Sequence, residues 1–352
     1  MTEPIRPRPA IERMPSEFGI REGRGKFLRL DYNENTIGCS RAVQRALARL
    51  KPEFIAKYPE YTETRKRLAK FLRVDADQIV LSNGADESLR LVFDAFLDRG
   101  QTVFVVDPTF TMYRVYAGLY ESRVISLRYG LTSGFPLKDA CRVLRDERPR
   151  AFFLANPNNP TGTLLSVAEI ERLLASAPET LVVVDEAYFD FCGVTVLPLL
   201  SQYPNLAVIR TFSKANGLAA LRLGLTIAHP QIAIALRKAQ PPFPVNSAAI
   251  IAAEAALKDT AYVRKIAREI TASRKLLEAF FRARRIPFWP SVTNFLLADF
   301  GSGAPEILRA LERKRILLRD RTPDFGRPGW VRITVGSRAQ MQRLLRALKE
   351  LL

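Results

Sequence analysis

From about residue 65 onward, short apolar runs alternate with segments whose apolar residues recur every three to four positions. Seven runs read as strands: 78–82 (Gln-Ile-Val-Leu-Ser), 102–106 (Thr-Val-Phe-Val-Val), 123–127, 151–155 (Ala-Phe-Phe-Leu-Ala), 181–184, 207–210 and 223–228. They are rich in β-branched residues and continuous rather than alternating, the pattern of strands covered on both faces. Between them, 63–73, 86–97, 111–119, 136–146 and 166–175 carry helical periodicity. Strands alternating with helices predict an α/β domain around a mostly parallel sheet of seven strands.

Both ends of the chain depart from this rhythm. Residues 1–30 read as irregular, with prolines at 4, 7, 9 and 15 and glycines at 19, 23 and 25. The polar loop Leu30-Asp-Tyr-Asn-Glu-Asn35 then leads into a helix near Ser40, a natural N-cap. Pro241-Pro-Phe-Pro244 closes the alternating series. A long helical stretch over about 247–285 follows, with a break expected near Asp259. Short strands at 294–298, 316–318 and 330–335, with helices at 304–314 and 337–351, form a smaller α+β unit, against which the N-terminal arm is expected to pack. The expected division is a large domain over 46–262 and a small one made of 1–45 and 263–352.

Composition narrows the picture. The 352 residues, 47% hydrophobic, suffice for two domains with sizeable cores. No run approaches the ~20 apolar residues of a membrane span. The polar, proline-rich Met1–Ala10 lacks the apolar segment of a secretion signal, so no leader is expected. Cys39, Cys141 and Cys192 are an odd count without CxxC spacing, which reads as reduced thiols in a cytoplasmic protein. The single histidine, His229, excludes a multi-histidine metal site, no metal is expected, and its place before Pro230 reads as a surface turn.

The net charge of +18 raises nucleic acid as a partner. The excess is concentrated in 263–352, with 20 Lys/Arg against 8 Asp/Glu at largely helical spacing. That reads first as solvated helix faces, and next as attraction for anionic small molecules. There is no zinc-finger spacing or RNP-like aromatic motif, and the ~30 residues before Asp31 are too few for a helix-turn-helix. Nucleic acid is therefore not expected.

The candidate chemistry centres on Thr211-Phe-Ser-Lys214-Ala-Asn-Gly-Leu-Ala-Ala-Leu-Arg222, between two strands. In a pocket, desolvation lowers the pKa of a lysine and frees its amine for Schiff-base chemistry. Thr211, Ser213 and Arg222 are natural phosphate ligands beside it. Taken alone, the stretch reads equally well as a solvated basic loop. The other strand ends tip the balance, because open α/β sheets bind ligands beyond the carboxyl ends of their strands. Gly84 and Ala85 open a helix at Asp86, where free N–H groups suit a phosphate. Phe110 offers a ring for stacking, and Asn159, Asp185 and Tyr188 complete the row. A phosphate nest, a flat ring, an amine and a carboxylate fit pyridoxal 5′-phosphate. Gly23-Arg-Gly25 follows no strand and lacks a third glycine, so a dinucleotide falls behind.

With these residues in place, the chain resembles the fold-type I pyridoxal-phosphate-dependent aminotransferases, and within them it is similar to the histidinol-phosphate aminotransferases. The matching stretches are Leu30–Asn35, Tyr58-Pro59, Asn83–Glu87, Pro108–Tyr113, Asn156–Gly162, Asp185–Tyr188, Arg210–Gly224, Leu318–Asp320 and Val331–Gly336. The resemblance implies Lys214 as Schiff-base lysine and proton shuttle, and Asp185 as partner of the pyridine nitrogen. Asn159 and Tyr188 would hold the phenolic oxygen, and Phe110 would stack on the ring. Ala85, Asp86 through its main chain, Thr211, Ser213 and Arg222 would hold the phosphate. Tyr58 would reach that phosphate from a neighbouring subunit, implying a homodimer. Arg332 would grip the carboxylate of glutamate or 2-oxoglutarate, and Arg319 would serve the phosphate of histidinol phosphate.

The implied reaction is L-histidinol phosphate plus 2-oxoglutarate giving imidazole-acetol phosphate plus L-glutamate, a step of histidine biosynthesis. Aromatic amino-acid transamination is the first alternative, and decarboxylation of an amino-acid phosphate the second. A nucleic-acid-binding regulator on a degenerate version of the fold is the alternative outside enzymes. The sequence departs from the family pattern at Pro15-Ser16, where an arm tyrosine is replaced with Phe18 nearby, and at Phe110, where tyrosine is frequent. Asn216 replaces an aromatic and Thr36 a proline. The first two departures weigh against a phosphorylated substrate.

Overall fold

The computed structural model describes residues 5–14 and 22–352. The arm positions 15, 16 and 18 noted above lie outside the described residues. Seven strands build the larger sheet: β2 (Ile79–Ser82), β3 (Thr102–Asp107), β4 (Arg123–Arg128), β5 (Ala151–Ala155), β6 (Leu181–Asp185), β7 (Leu206–Thr211) and β8 (Gly224–Ala228), following β1 (Leu28–Leu30) in the chain. Their order is β2-β8-β7-β6-β5-β3-β4, with β8 antiparallel to both of its neighbours and every other pairing parallel. The interior strands β5, β6 and β8 are fully buried and β3 and β7 are buried except at their ends, as their continuous apolar runs require, whereas the edge strand β4 has only exposed and half-buried positions.

The reversal of β8 positions the site. Its first residue, Gly224, stands in register with Ser82 at the end of β2 and Thr211 at the end of β7. The turn leading into β8, which carries Arg222, is thereby brought to the carboxyl edge of the parallel strands.

Side chains from alternate strand positions feed two cores. Phe104, Phe152, Val182 and Val208 face one, and Val103, Phe153, Val183 and Ala207 face the other. The helix Ala85–Phe96 covers the second face, with Phe93 stacked on Phe153 at 5.0 Å. So does Pro230–Ala239, a helix additional to those predicted, through Ile232, Ala233 and Leu236. His229 caps that helix by accepting from Gln231 N. Ser40 caps Arg41–Ala48 as expected. Asp259 ends Ser247–Lys258 and caps Thr260–Ala283, the break anticipated at that residue.

The second sheet holds β1, β9 (Phe288–Trp289), β10 (Phe295–Asp299), β11 (Ile316–Asp320) and β12 (Trp330–Thr334), in the order β1-β11-β12-β10-β9. The N-terminal region is therefore not wholly irregular. Pro9–Glu12 is helical, and Leu28–Leu30 pairs parallel with β11. A three-residue strand has too little local pattern to be read, and its hydrogen bonds come from a partner nearly 290 residues away. Thr260–Ala283 and Arg338–Lys349 cover one face of this sheet. From its other side, Trp289, Leu297 and Trp330 join the core of the larger sheet. Among the described residues, no helix is long and apolar enough to cross a membrane.

Candidate active site

The three aligned strand ends form a cradle. Gly84 adopts φ +83°, ψ 163°, a conformation open essentially to glycine alone, immediately before the helix Ala85–Phe96. A Cβ there would stand 2.8 Å from Arg222 Cζ. Gly224 approaches from the other side, and a Cβ on it would lie 2.5 Å from Ala85 N. Two glycines thus let two backbones and a guanidinium converge on a helix N-terminus, whose first N–H groups lack intrahelical partners. Arg222 pairs with the Asp86 carboxylate at 2.9 Å, which fixes the guanidinium beside the helix N-terminus. Thr211 Oγ1 donates to Ser213 Oγ at 3.0 Å and accepts from Ser213 N at 3.1 Å. The arrangement offers hydroxyls, amides and one guanidinium to a phosphate.

One strand over, Asp185 ends β6 and is buried. Its oxygens accept from Tyr113 Oη at 3.0 Å and Ala187 N at 3.0 Å. Burial pushes its pKa up to about 6, against the opposing pull of those two donors. Among the described residues it has no ion-pair partner, so it is a carboxylate suited to a cationic ring nitrogen. Tyr188 Oη accepts from Asn33 Nδ2 at 2.8 Å. Lys214 Nζ donates to Tyr32 O at 3.3 Å and lies 5.6 Å from the Tyr188 ring centre. Phe110 meets Tyr113 edge-on at 5.7 Å, beside the Asp185 carboxylate.

The smaller sheet closes the site with arginines. Arg332, on β12, is buried and donates to Asn159 Oδ1 at 2.6 Å and to Asp31 O at 2.7 Å. Its Nε has no partner, and no carboxylate pairs with it among the described residues. Burial first, and then Arg321, lowers its pKa to about 10, still charged at neutral pH. Arg319 stands directly opposite Arg332 across β11–β12, with its guanidinium 5.7 Å from the Tyr32 ring centre. Arg321, also buried, pairs with Asp324 and donates to Thr111 Oγ1 at 3.4 Å.

The fold therefore gathers Gly84, Ala85, Asp86, Thr211, Ser213 and Arg222 at one end of the site. Asp185, Tyr188, Lys214, Asn159 and Arg332 gather at the other. Tyr58 stands apart: it is exposed, its ring stacked on Phe243 at 4.2 Å. The cradle that a Cβ would fill and the unpaired buried carboxylate both fit a phosphorylated pyridine.

The family model for aminotransferase class I and II matches residues 25–348. The chain belongs to this family. The histidinol-phosphate aminotransferases of Geobacillus sp. and Symbiobacterium thermophilum are 35% and 36% identical to it, each match covering 99% of this chain and 95% of the relative. Among solved structures, the histidinol-phosphate aminotransferase of Sinorhizobium meliloti, in complex with pyridoxal-5'-phosphate, superposes with a TM-score of 0.88 at 25% identity, covering 99% and 98% of the two chains.

Two residues of this aminotransferase site went unassigned in the sequence. Tyr113 lies in a stretch that matches the family, one helical turn after Phe110, and that spacing is the signal that places it near the strand ends. Asn33 also lies in a matching stretch, Leu30–Asn35, but no spacing signals its partner, because it meets Tyr188 across 155 residues of chain.

Proposed function

We propose that the chain is a pyridoxal-phosphate-dependent aminotransferase that moves the amino group of L-histidinol phosphate to 2-oxoglutarate. The observation that carries this reading is Arg332, a buried guanidinium with no carboxylate partner among the described residues, on the edge of a site that contains Lys214 and Asp185. A substrate carboxylate supplies the missing counter-charge in bidentate geometry, displacing the Asn159 and main-chain oxygens that hold the guanidinium here.

When bound, pyridoxal phosphate supplies a ring that withdraws electrons from the substrate Cα. Asp185 keeps a proton on the ring nitrogen, with its own position fixed by Tyr113 and Ala187. Asn159 and Tyr188 direct polar hydrogens at the phenolic oxygen, and Asn33 orients Tyr188. Lys214 Nζ would be the group that accepts the proton from the substrate Cα and gives it back, the general base and acid of the exchange. The cradle around Gly84 and Gly224 anchors the phosphate. Arg319, facing Arg332 across the strands, addresses the phosphate of the donor.

The same reading includes a homodimer in which Tyr58, exposed in one subunit, completes the phosphate site of the other. It also includes residence in the cytoplasm, and a division into 46–262 and 1–45 plus 263–352. Mixing the holoenzyme with histidinol phosphate or with phenylalanine, and following the absorbance of bound cofactor through one turnover, tests the donor. Faster conversion by histidinol phosphate is expected. Faster conversion by phenylalanine would assign the enzyme to aromatic amino acids.

A further inference from the structure

A cavity of about 430 Å³ lies beside the candidate active site, and of the residues assigned to that site only Thr211 lines it. Its walls are largely apolar, formed by Leu68, Phe71 and Leu72 from one helix and by Leu225, Leu257 and Val263 from neighbouring elements. Asp190 and Asn216 give it a polar end. Asn216 Nδ2 reaches Asp190 Oδ2 only at 3.5 Å, the limit of a hydrogen bond.

Asp190 has no ion-pair partner among the described residues. The nearby Arg210 is committed elsewhere: it pairs with the buried Glu186 at 2.7 Å, donates to Thr195 Oγ1 at 2.8 Å and lies 3.5 Å over the Phe189 ring. Arg264, the other cation of the lining, is exposed and donates to Thr260 Oγ1 at 3.1 Å. Arg264 thus holds its charge at the solvent-exposed rim, and the charge left without a counter-ion deeper in the cavity is the carboxylate of Asp190. Asp190 is half-buried, and its partial withdrawal from water raises its pKa to about 6, with Arg210 acting in the opposite direction. A carboxylate withdrawn from water without a counter-ion is costly, and a cation placed beside it relieves that cost.

We propose that this cavity is a second ligand site, which takes a small amine with an apolar, ring-sized body whose ammonium pairs with Asp190. The volume falls within the range of small-molecule pockets, and the leucine and phenylalanine walls remove the body of the ligand from water. No part of transamination uses Asp190 or Asn216. They are nevertheless close to the chemistry along the chain: Asp190 lies two residues beyond Tyr188, and Asn216 two beyond Lys214. An occupant thus touches both segments that carry the reacting groups.

The test uses the holoenzyme and N,N-dimethylphenethylamine, a tertiary amine that does not condense with the cofactor aldehyde. Calorimetry is expected to show one saturable site per chain, with the cofactor absorbance unchanged. Binding should weaken at least tenfold for the uncharged 2-phenylethanol. It should weaken equally in Asp190→Asn, which removes the charge, and in Asn216→Phe, which fills the space. Thermal melting establishes that each variant is folded, and if one is not, the other decides. Absence of saturable binding, a shift of the cofactor absorbance on binding, or affinity kept within threefold in a folded variant or for 2-phenylethanol would overturn the proposal.

Discussion

Gly224→Ala isolates the geometry of the phosphate cradle, because Gly224 lies in β8 without a positive φ and an added methyl brings no backbone strain. Its Cβ would stand 2.5 Å from Ala85 N and closer still to the Gly84 carbonyl carbon, both backbone atoms with no rotamer to escape into. Ordinary contact begins near 3.4 Å, so the helix N-terminus and β8 must part by about 1 Å. A shift of that size misplaces an N–H that points at the phosphate. A hydrogen bond to a charged group contributes about 1.5–3 kcal/mol, so the loss of one weakens cofactor binding roughly 10- to 100-fold. Overpacking adds about 1–3 kcal/mol of destabilisation in the cofactor-free protein. Titrating cofactor-free wild type and variant with pyridoxal phosphate, read by visible absorbance, measures the first effect, and thermal melts measure the second. Affinity within threefold of wild type, with an unshifted melt, would refute the placement of the phosphate between Gly84 and Gly224.

Most of this site was legible in the sequence, and the reasons differ from residue to residue. Continuous apolar runs revealed the strands and put Asp185 and Lys214 at their ends, because strand length and polarity are local properties. The direction of β8 was not local. The run 223–228 reads the same in either orientation, and only the register of Gly224 with Ser82 and Thr211 explains why Arg222 stands beside the N-terminus of Ala85–Phe96. The helix Pro230–Ala239 was readable, since proline at a first helical position after a capping residue is a start signal. Leu28–Leu30 and the Asn33–Tyr188 hydrogen bond were not, because their partners are brought close by tertiary packing alone.

Asp185→Asn makes a pH prediction for the cofactor-free protein. The folded pKa of Asp185, about 6, lies above its unfolded value near 4, so its contribution favours folding most below pH 4 and is lost as pH rises through about 6. At pH 8 the asparagine variant should be more stable by on the order of 2–3 kcal/mol, with the gap closing below pH 4 in thermal melts; a gap independent of pH would contradict the assignment. Arg332→Leu removes one partner of a buried charge pair with substrate, a loss of about 3 kcal/mol. The KM for glutamate and 2-oxoglutarate should rise roughly 100-fold, and a rise under fivefold would place the carboxylate elsewhere. Tyr113→Phe deletes a donor to Asp185. Turnover should fall about tenfold with cofactor retained, a loss of about 1.4 kcal/mol in line with one hydrogen bond, and an unchanged rate would remove Tyr113 from the support of the ring nitrogen.

The central claim is that Lys214 carries the cofactor. Reducing the holoenzyme with borohydride fixes the cofactor to the amine that holds it, and peptide mapping by mass spectrometry then reads the position. The account predicts the added mass on the peptide containing Lys214 and no trapping in Lys214→Ala. The mass on a different lysine, or full trapping in that variant, would contradict it.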